Sequence, residues 1–84
     1  YMNKILVEVF FPSLGCSYDI YIPDRVRLYQ VSDMIERAIA RTTHGRYSVC
    51  GDAVLCDRDT GLIYDANKTA EEVMLHSGSR LMMI

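Results

Sequence analysis

The chain has 84 residues, a formal net charge of −2 and 50% hydrophobic residues. This length fits one domain, and no apolar run reaches the roughly 18 residues that a membrane-spanning helix needs. The small charge does not call for nucleic acid or an anionic membrane as a partner. Arginines outnumber lysines, which favours protein interfaces because the guanidinium binds carboxylates bidentately and stacks on aromatic rings. No basic-then-apolar leader opens the chain, so we expect a cytosolic location, with Met2 as the natural first residue.

The sequence contains no pattern typical of nucleophilic catalysis. Cys16, Cys50 and Cys56 lack the C-x-x-C spacing of zinc and redox sites, and we expect them to be reduced thiols that pack as small hydrophobic residues. His44 and His76 fall in predicted loops or turns, and nothing in the sequence joins them to a cysteine. We therefore expect no enzymatic activity and no catalytic residues. A thiol enzyme that uses Cys50 or Cys56 remains an alternative, and it would require a lowered thiol pKa.

The first two elements predict an antiparallel hairpin. Hydrophobic residues alternate from Ile5 to Phe11 and again from Cys16 to Ile22, around a turn at 12–15. Pro23 ends the second strand because proline cannot donate to a strand ladder. The alternation assigns one face to the core and the other to solvent, the core set being Ile5, Val7, Val9, Phe11, Tyr18, Ile20 and Ile22.

After Pro23, the spacing of the apolar residues changes to that of an amphipathic helix. Apolar residues recur at helical spacing at Leu28, Val31, Ile35 and Ile39, and His44-Gly45 is expected to end the helix. The charged residues on the opposite face are predicted to face solvent; they are Asp33, Glu36, Arg37 and Arg41.

From residue 47 onward, the sequence pattern predicts short strands and a capped turn. Apolar segments at 47–50, 53–57 and 62–64 are separated by turn residues, and Ser79 to Ile84 is a predicted final strand. Thr69 and Glu72 have the spacing of a capping box. Together these elements predict a single α+β domain over 1–84. In it, one long helix packs on one face of a mixed sheet of four to five strands, with the first and last strands parallel at its centre.

Four segments carry a resemblance to a known fold family: Leu14-Gly15 in the hairpin turn, Val31 and Ile35 in the helix, Gly61 before Leu62-Ile63-Tyr64, and Gly78-Ser79-Arg80-Leu81. With them, the sequence resembles ubiquitin-like β-grasp proteins over nearly its whole length, and most of all the small bacterial YukD-like proteins of type VII secretion systems. The stretch between the helix and Gly61 is longer than in these proteins, and we expect it to hold an extra hairpin.

This resemblance implies a non-catalytic, cytosolic accessory that binds protein components of a membrane-embedded export machine. No glycine pair follows Ile84, which argues against conjugation chemistry. The alternative is a ubiquitin-like or sulfur-carrier protein whose chain continues past Ile84 to a glycine tail. The codons after Ile84 distinguish the two.

The segment Asp57-x-Asp59-x-Gly61 resembles part of a calcium loop. An EF-hand would need a third acidic or amide group where Thr60 stands and a glutamate where Lys68 stands. We therefore predict a hairpin turn here, and no metal or cofactor site.

The outer face of the predicted sheet is the candidate partner-binding surface. Contiguous exposed apolar residues usually mark a contact site, although single exposed hydrophobic residues are ordinary. In ubiquitin the recognition surface combines residues of the first turn, the third strand and the last strand. The third-strand position here is Leu55 or Cys56. An alternative is that the extra strands cover Leu6 and Phe10. The predicted surface consists of Leu6, Phe10, Leu14, Tyr21, Arg80, Met82 and Ile84.

Overall fold

The computed structural model describes residues 3–84, so the expectation about Met2 lies outside the described residues. The sheet order is β2-β1-β4-β3, with β1 and β4 parallel at the centre and the other two pairs antiparallel. One helix packs on one face of this mixed four-stranded sheet, which confirms the predicted architecture. The elements are β1 (Lys4–Phe11), β2 (Cys16–Pro23), α1 (Leu28–Thr42), β3 (Leu55–Asp57) and β4 (Arg80–Met83).

The core lies between the sheet and α1. Alternation in β1 and β4 places every second side chain on the inner face, as the sequence pattern predicts. The helix contributes one apolar stripe to the same layer. The residues of these elements that form the hydrophobic core cluster are Val7, Val9, Phe11, Ile22, Leu28, Val31, Ile35, Ile39, Leu55, Leu81 and Met83.

The loop before the final turn caps the start of α1. Arg27 at the N-cap position makes no side-chain cap. Instead, the backbone N–H groups of Leu28 and Tyr29 donate to the carbonyls of Lys68 (2.9 Å) and Ala66 (3.0 Å). These bonds satisfy donors that a helix start otherwise leaves unpaired. They also tie the helix to a segment that is distant in sequence.

The helix ends where the sequence predicts. His44 and Gly45 both adopt left-handed backbone conformations, at φ 53° and 87°. The N–H of Gly45 donates to the carbonyl of Ala40 at 3.0 Å. This geometry stops the helix because a left-handed residue redirects the chain while still satisfying a terminal carbonyl.

The structure corrects the predicted strands between the helix and Gly61. Residues 47–50 form no strand, the 53–57 strand is reduced to β3, and the expected extra hairpin is absent from the described residues. Residues 62–64 reach β3 only through an isolated bridge between Cys56 and Ile63. The reason is that Tyr47 and Cys50 bond to the helix residue Glu36 instead of to a neighbouring strand.

The capping box at Thr69 is present. The N–H of Thr69 donates to Oε1 of Glu72 at 2.9 Å, and the N–H of Glu72 donates to Oγ1 of Thr69 at 3.1 Å. The residues that follow form turns rather than a helix. The box therefore rigidifies the short connection that leads into β4.

Candidate functional site

The outer face of the sheet consists of rows of side chains that cross the strands. Residues directly opposite each other on neighbouring strands share a face, so the register defines each row. The first row pairs Leu6 with Tyr21. Both residues are exposed, at 37% and 67% of their surface. They form a small apolar pair near the start of β1.

The second row is charged. Asp19 faces Glu8, and Glu8 faces Arg80. Glu8 accepts a 2.9 Å hydrogen bond from Nη1 of Arg58 and lies 3.8 Å from Nε of Arg80. Nη1 of Arg80 also donates to Oδ1 of Asp59 at 3.2 Å. The ion pairs hold two arginines and two carboxylates together across β1, β4 and the turn that follows β3, and they separate Leu6 and Tyr21 from the rest of the outer face.

The third row is apolar from β1 across β4 and β3 to residue 63, whereas its position on β2, opposite Phe10, is the polar Ser17. Phe10 faces Met82, Met82 faces Cys56, and Cys56 faces Ile63 through the isolated bridge. Ile63 is 58% exposed, Phe10 and Met82 are half-buried, and Cys56 is buried. The guanidinium carbon of Arg58 lies 4.4 Å from the centre of the Phe10 ring. Such a cation–π contact covers part of the ring and leaves the Met82 and Ile63 end of the row open.

The apolar surface continues beyond β4 to Ile84. The backbone groups of Ile84 and Val54 bond to each other reciprocally, at 2.9 and 3.0 Å. Ile84 is 54% exposed, whereas Val54 is half-buried. We call Phe10, Met82, Ile63 and Ile84 the apolar strip.

The structure therefore divides the predicted surface. Phe10, Met82 and Ile84 lie together in the apolar strip. Leu6 and Tyr21 lie beyond the charged row that contains Arg80, and Leu14 is half-buried against the core. Among residues 3–84, no extra strands cover Leu6 or Phe10. Whether a partner binds here stays a prediction.

Sequence reasoning missed Ile63, Glu8 and Arg58. Ile63 was assigned to a strand, but its place opposite Cys56 depends on a register that alternation alone does not define. Glu8 did have a signal, because it is the one acidic residue of β1, and a partly buried carboxylate is stabilised by a nearby cation. Arg58 lies in a turn, and its sequence neighbours do not indicate which strand it reaches.

A second polar cluster lies on the other side of the molecule, and it corrects the predicted solvent-facing assignment of Glu36. Glu36 is only 2% exposed. Its Oε2 accepts hydrogen bonds from the Tyr47 hydroxyl (2.7 Å), the Cys50 N–H (3.2 Å) and the Cys50 thiol (3.4 Å). Burial of Tyr47, reinforced by its bond to Glu36, raises the pKa of its hydroxyl above the ordinary value of 10.0. The donor is therefore held protonated.

The cysteines differ in environment. Cys56 is buried, as expected of a small hydrophobic residue, and this burial raises the pKa of its thiol. Cys50 is exposed and bonded to Glu36, so the expectation of hydrophobic packing is wrong for it. Among residues 3–84, no hydrogen bond links either histidine to a cysteine. The ring of His76 contacts the carbonyl of Ser77.

The acidic loop forms a turn, as predicted. Asp57 accepts bonds from the Asp59 N–H (3.0 Å) and the Thr60 hydroxyl (3.1 Å), and Gly61 has a φ of 77°. These bonds occupy both carboxylate oxygens of Asp57. Within the described part of the chain, no cluster of three or more His, Cys, Asp or Glu side chains could hold a metal ion.

Comparison with solved structures assigns the fold. No protein-family model and no curated protein matches the sequence. The structure superimposes on the ubiquitin-like domain of the type VII secretion protein EccD1 of Mycobacterium tuberculosis, with a TM-score of 0.76, 10% identity and 99% of each chain covered. The fold is ubiquitin-like. The EccD5 ubiquitin-like domain of Mycobacterium xenopi matches with a TM-score of 0.79 and 14% identity, over 98% of this chain and 93% of that one.

The same fold occurs within a larger assembly. A chain of the MycP5-free ESX-5 inner membrane complex matches with a TM-score of 0.78 and 16% identity. The match covers 96% of this chain but 20% of that one. Among residues 3–84, no helix is both long and apolar enough to cross a membrane.

Proposed function

We propose that this chain is a non-catalytic ubiquitin-like module that binds protein, and that it acts as a cytosolic accessory of a type VII secretion system. The observation that carries the proposal is the match, over almost the full chain, to the ubiquitin-like domains of two EccD proteins. The match to a chain of an inner membrane complex supports a membrane-embedded machine as the binding partner. Fold similarity alone does not determine function, so the proposal also depends on the surface residues.

The apolar strip is the surface that supports this role best. Ile63 and Ile84 are more than half exposed, and Met82 in the same strip is flexible enough to adapt to a partner. The charged row borders the strip on one side with Arg80, whose guanidinium can still bind a partner carboxylate at the rim. Apolar residues bordered by polar ones are the usual composition of a protein interface.

The test is co-purification of the tagged full chain with detergent-solubilised membranes of its source organism, followed by mass spectrometry. We expect type VII membrane components to be enriched with the wild type and lost with Ile63→Glu and Ile84→Glu. Met34→Glu is the matched control because Met34 is also exposed but lies on α1, on the opposite face of the sheet. Equal urea midpoints for the variants establish that each is folded. Recovery of the same components with all variants would contradict the surface, and their absence from the wild-type sample would contradict the secretion role.

A further inference from the structure

The two edges of the sheet differ in how they are protected. Residues 62–64 cover the outer edge of β3: the N–H of Asp57 donates to Leu62 at 2.8 Å, and the N–H of Tyr64 donates to Leu55 at 3.1 Å. In the described part of the chain, β2 pairs with β1 on one side and with no strand on the other. An unpaired edge presents a row of backbone donors and acceptors to another strand.

β2 has few of the features that prevent strands from pairing. Its eight residues follow β1 in one unbroken register, without a bulge. Asp19 is its single charge, and Pro23 stands only at its end. Proteins usually protect such an edge with lysines, internal prolines, bulges or a covering helix. Here an open groove of about 970 Å³, lined by Tyr21, Pro23, Gln30 and Met34 among others, leaves this edge uncovered by α1.

We propose that a second copy of this chain pairs with β2 in antiparallel orientation, with Ile20 opposite Ile20. A two-fold axis perpendicular to the sheet keeps the inner and outer faces of both copies aligned. Residues that face each other in the two copies must then lie on the same face of the sheet. This holds only if the axis passes between one residue and the same residue of the second copy. An axis at Asp19 sets two carboxylates against each other, which is unfavourable.

An axis at Ile20 gives a self-complementary set of contacts. Asp19 of each copy faces Tyr21 of the other on the outer face, where carboxylate and hydroxyl can bond twice by symmetry. On the inner face Tyr18 faces Ile22, next to the central pair of Ile20 side chains. Tyr18 and Ile20 are only half-buried in the single chain. The added strand covers them and extends the core across the axis.

The experiment is sedimentation velocity of the full chain over a concentration series, with charge variants at Tyr21. We expect a concentration-dependent dimer. Tyr21→Asp sets a new carboxylate opposite Asp19 of the second copy and weakens the dimer by about tenfold or more, because the contact occurs twice. Tyr21→Lys sets an ammonium there and strengthens it. Tyr21 is 67% exposed, so both variants should fold, and urea unfolding of each variant checks this.

Leu62→Asp is the control, because Leu62 is also exposed but lies at the covered edge. It should leave the dissociation constant unchanged. A protein that is monomeric throughout the concentration series overturns the proposal. The unpaired edge of β2 would then be available to a strand of a different protein. A dimer indifferent to the charge at position 21 overturns it as well. Neither result bears on co-purification with secretion components, so this proposal and the proposed function fail separately.

Discussion

The hydroxyl of Tyr47 donates a 2.7 Å hydrogen bond to the carboxylate of Glu36, a helix residue that is only 2% exposed. This bond, with those from Cys50, holds the irregular segment after α1 against the helix. A buried carboxylate is unfavourable unless donors surround it. The three donors therefore explain both the burial of Glu36 and the absence of a strand at 47–50.

Tyr47→Phe removes one of these donors and should lower the free energy of unfolding by about 1–3 kcal/mol, because a buried charged acceptor loses its shortest hydrogen bond. Urea unfolding at neutral pH measures the change. Tyr29→Phe is the matched control, since the Tyr29 side chain is exposed and its hydroxyl makes no hydrogen bond within residues 3–84. Equal losses for the two variants would contradict the role of the bond.

Stability should fall in alkaline solution. Burial raises the pKa values of Tyr47 and Tyr64 above the ordinary 10.0, so the folded protein holds these protons more tightly than the unfolded chain does. Their contribution is complete below pH 10.0 and is lost as the pH rises through the raised folded values. Urea unfolding at a series of pH values from about 8 to 11 tests this. Tyr47→Phe should make the decline shallower, and an unchanged decline would contradict our assignment of Tyr47 to it.

Much of the fold was predictable from the sequence because the spacing of apolar residues indicates which face of an element is buried. The alternation in β1 and β2 and the apolar stripe of α1 each encode one face of one element. Residues 47–50 could not be predicted in the same way. Their apolar and aromatic side chains match a strand pattern. However, Tyr47 and Cys50 donate hydrogen bonds to Glu36 of α1, and these bonds keep the segment out of the sheet. The charge of Glu36 predicts that its side chain faces solvent. Only the hydrogen-bond donors of Tyr47 and Cys50, which the fold brings to it, explain why it is buried instead.

The three thiols should react at different rates. Cys50 is exposed, Cys16 is half-buried, and Cys56 is buried with a raised pKa. Because the thiolate is the reactive form, an alkylating reagent should modify Cys50 first and Cys56 at least about tenfold more slowly than free cysteine. Mass spectrometry of peptides from a time course gives the three rates. Reaction of Cys56 at the rate of free cysteine would contradict its burial, and unusually fast reaction of Cys50 would favour the thiol-enzyme alternative.

Arg58→Lys should destabilise the protein by about 1 kcal/mol, although it keeps the charge. Arg58 contacts the Glu8 carboxylate, the Ser17 hydroxyl (3.2 Å) and the Phe10 ring at the same time. A compact ammonium cannot reproduce all three contacts. Thermal or urea unfolding measures the loss.

Arg37→Lys is the control for Arg58→Lys. Arg37 pairs with Asp33 at 3.0 Å on the exposed side of α1, where such pairs contribute little. We expect a change within about 0.5 kcal/mol there. If Arg58→Lys is equally mild, the outer-face contacts of Arg58 are not stabilising.

The candidate surface was less predictable than the fold because it depends on register and on long side chains. Phe10, Met82 and Ile84 follow from alternation along their own strands. The separation of Leu6 from them depends on Arg58 and Arg80 converging on Glu8, and these side chains come from three segments that are far apart in sequence. The packing of Leu14 against the core was not predictable for a related reason, because a turn residue has no alternating neighbours to define its face.

Met74 should be one of the few positions where glycine increases stability. Its backbone is left-handed, at φ 65°, and its side chain is 82% exposed. A side chain in this conformation costs about 1–2 kcal/mol, whereas the extra chain entropy of glycine costs about 0.5–1 kcal/mol. Met74→Gly should therefore raise the free energy of unfolding by about 0.5–1 kcal/mol. Met34→Gly, in the right-handed backbone of α1, should lower it by about 1 kcal/mol. Urea unfolding of both variants measures the two signs, and a loss of stability in both would show that the turn at Met74 relaxes in solution.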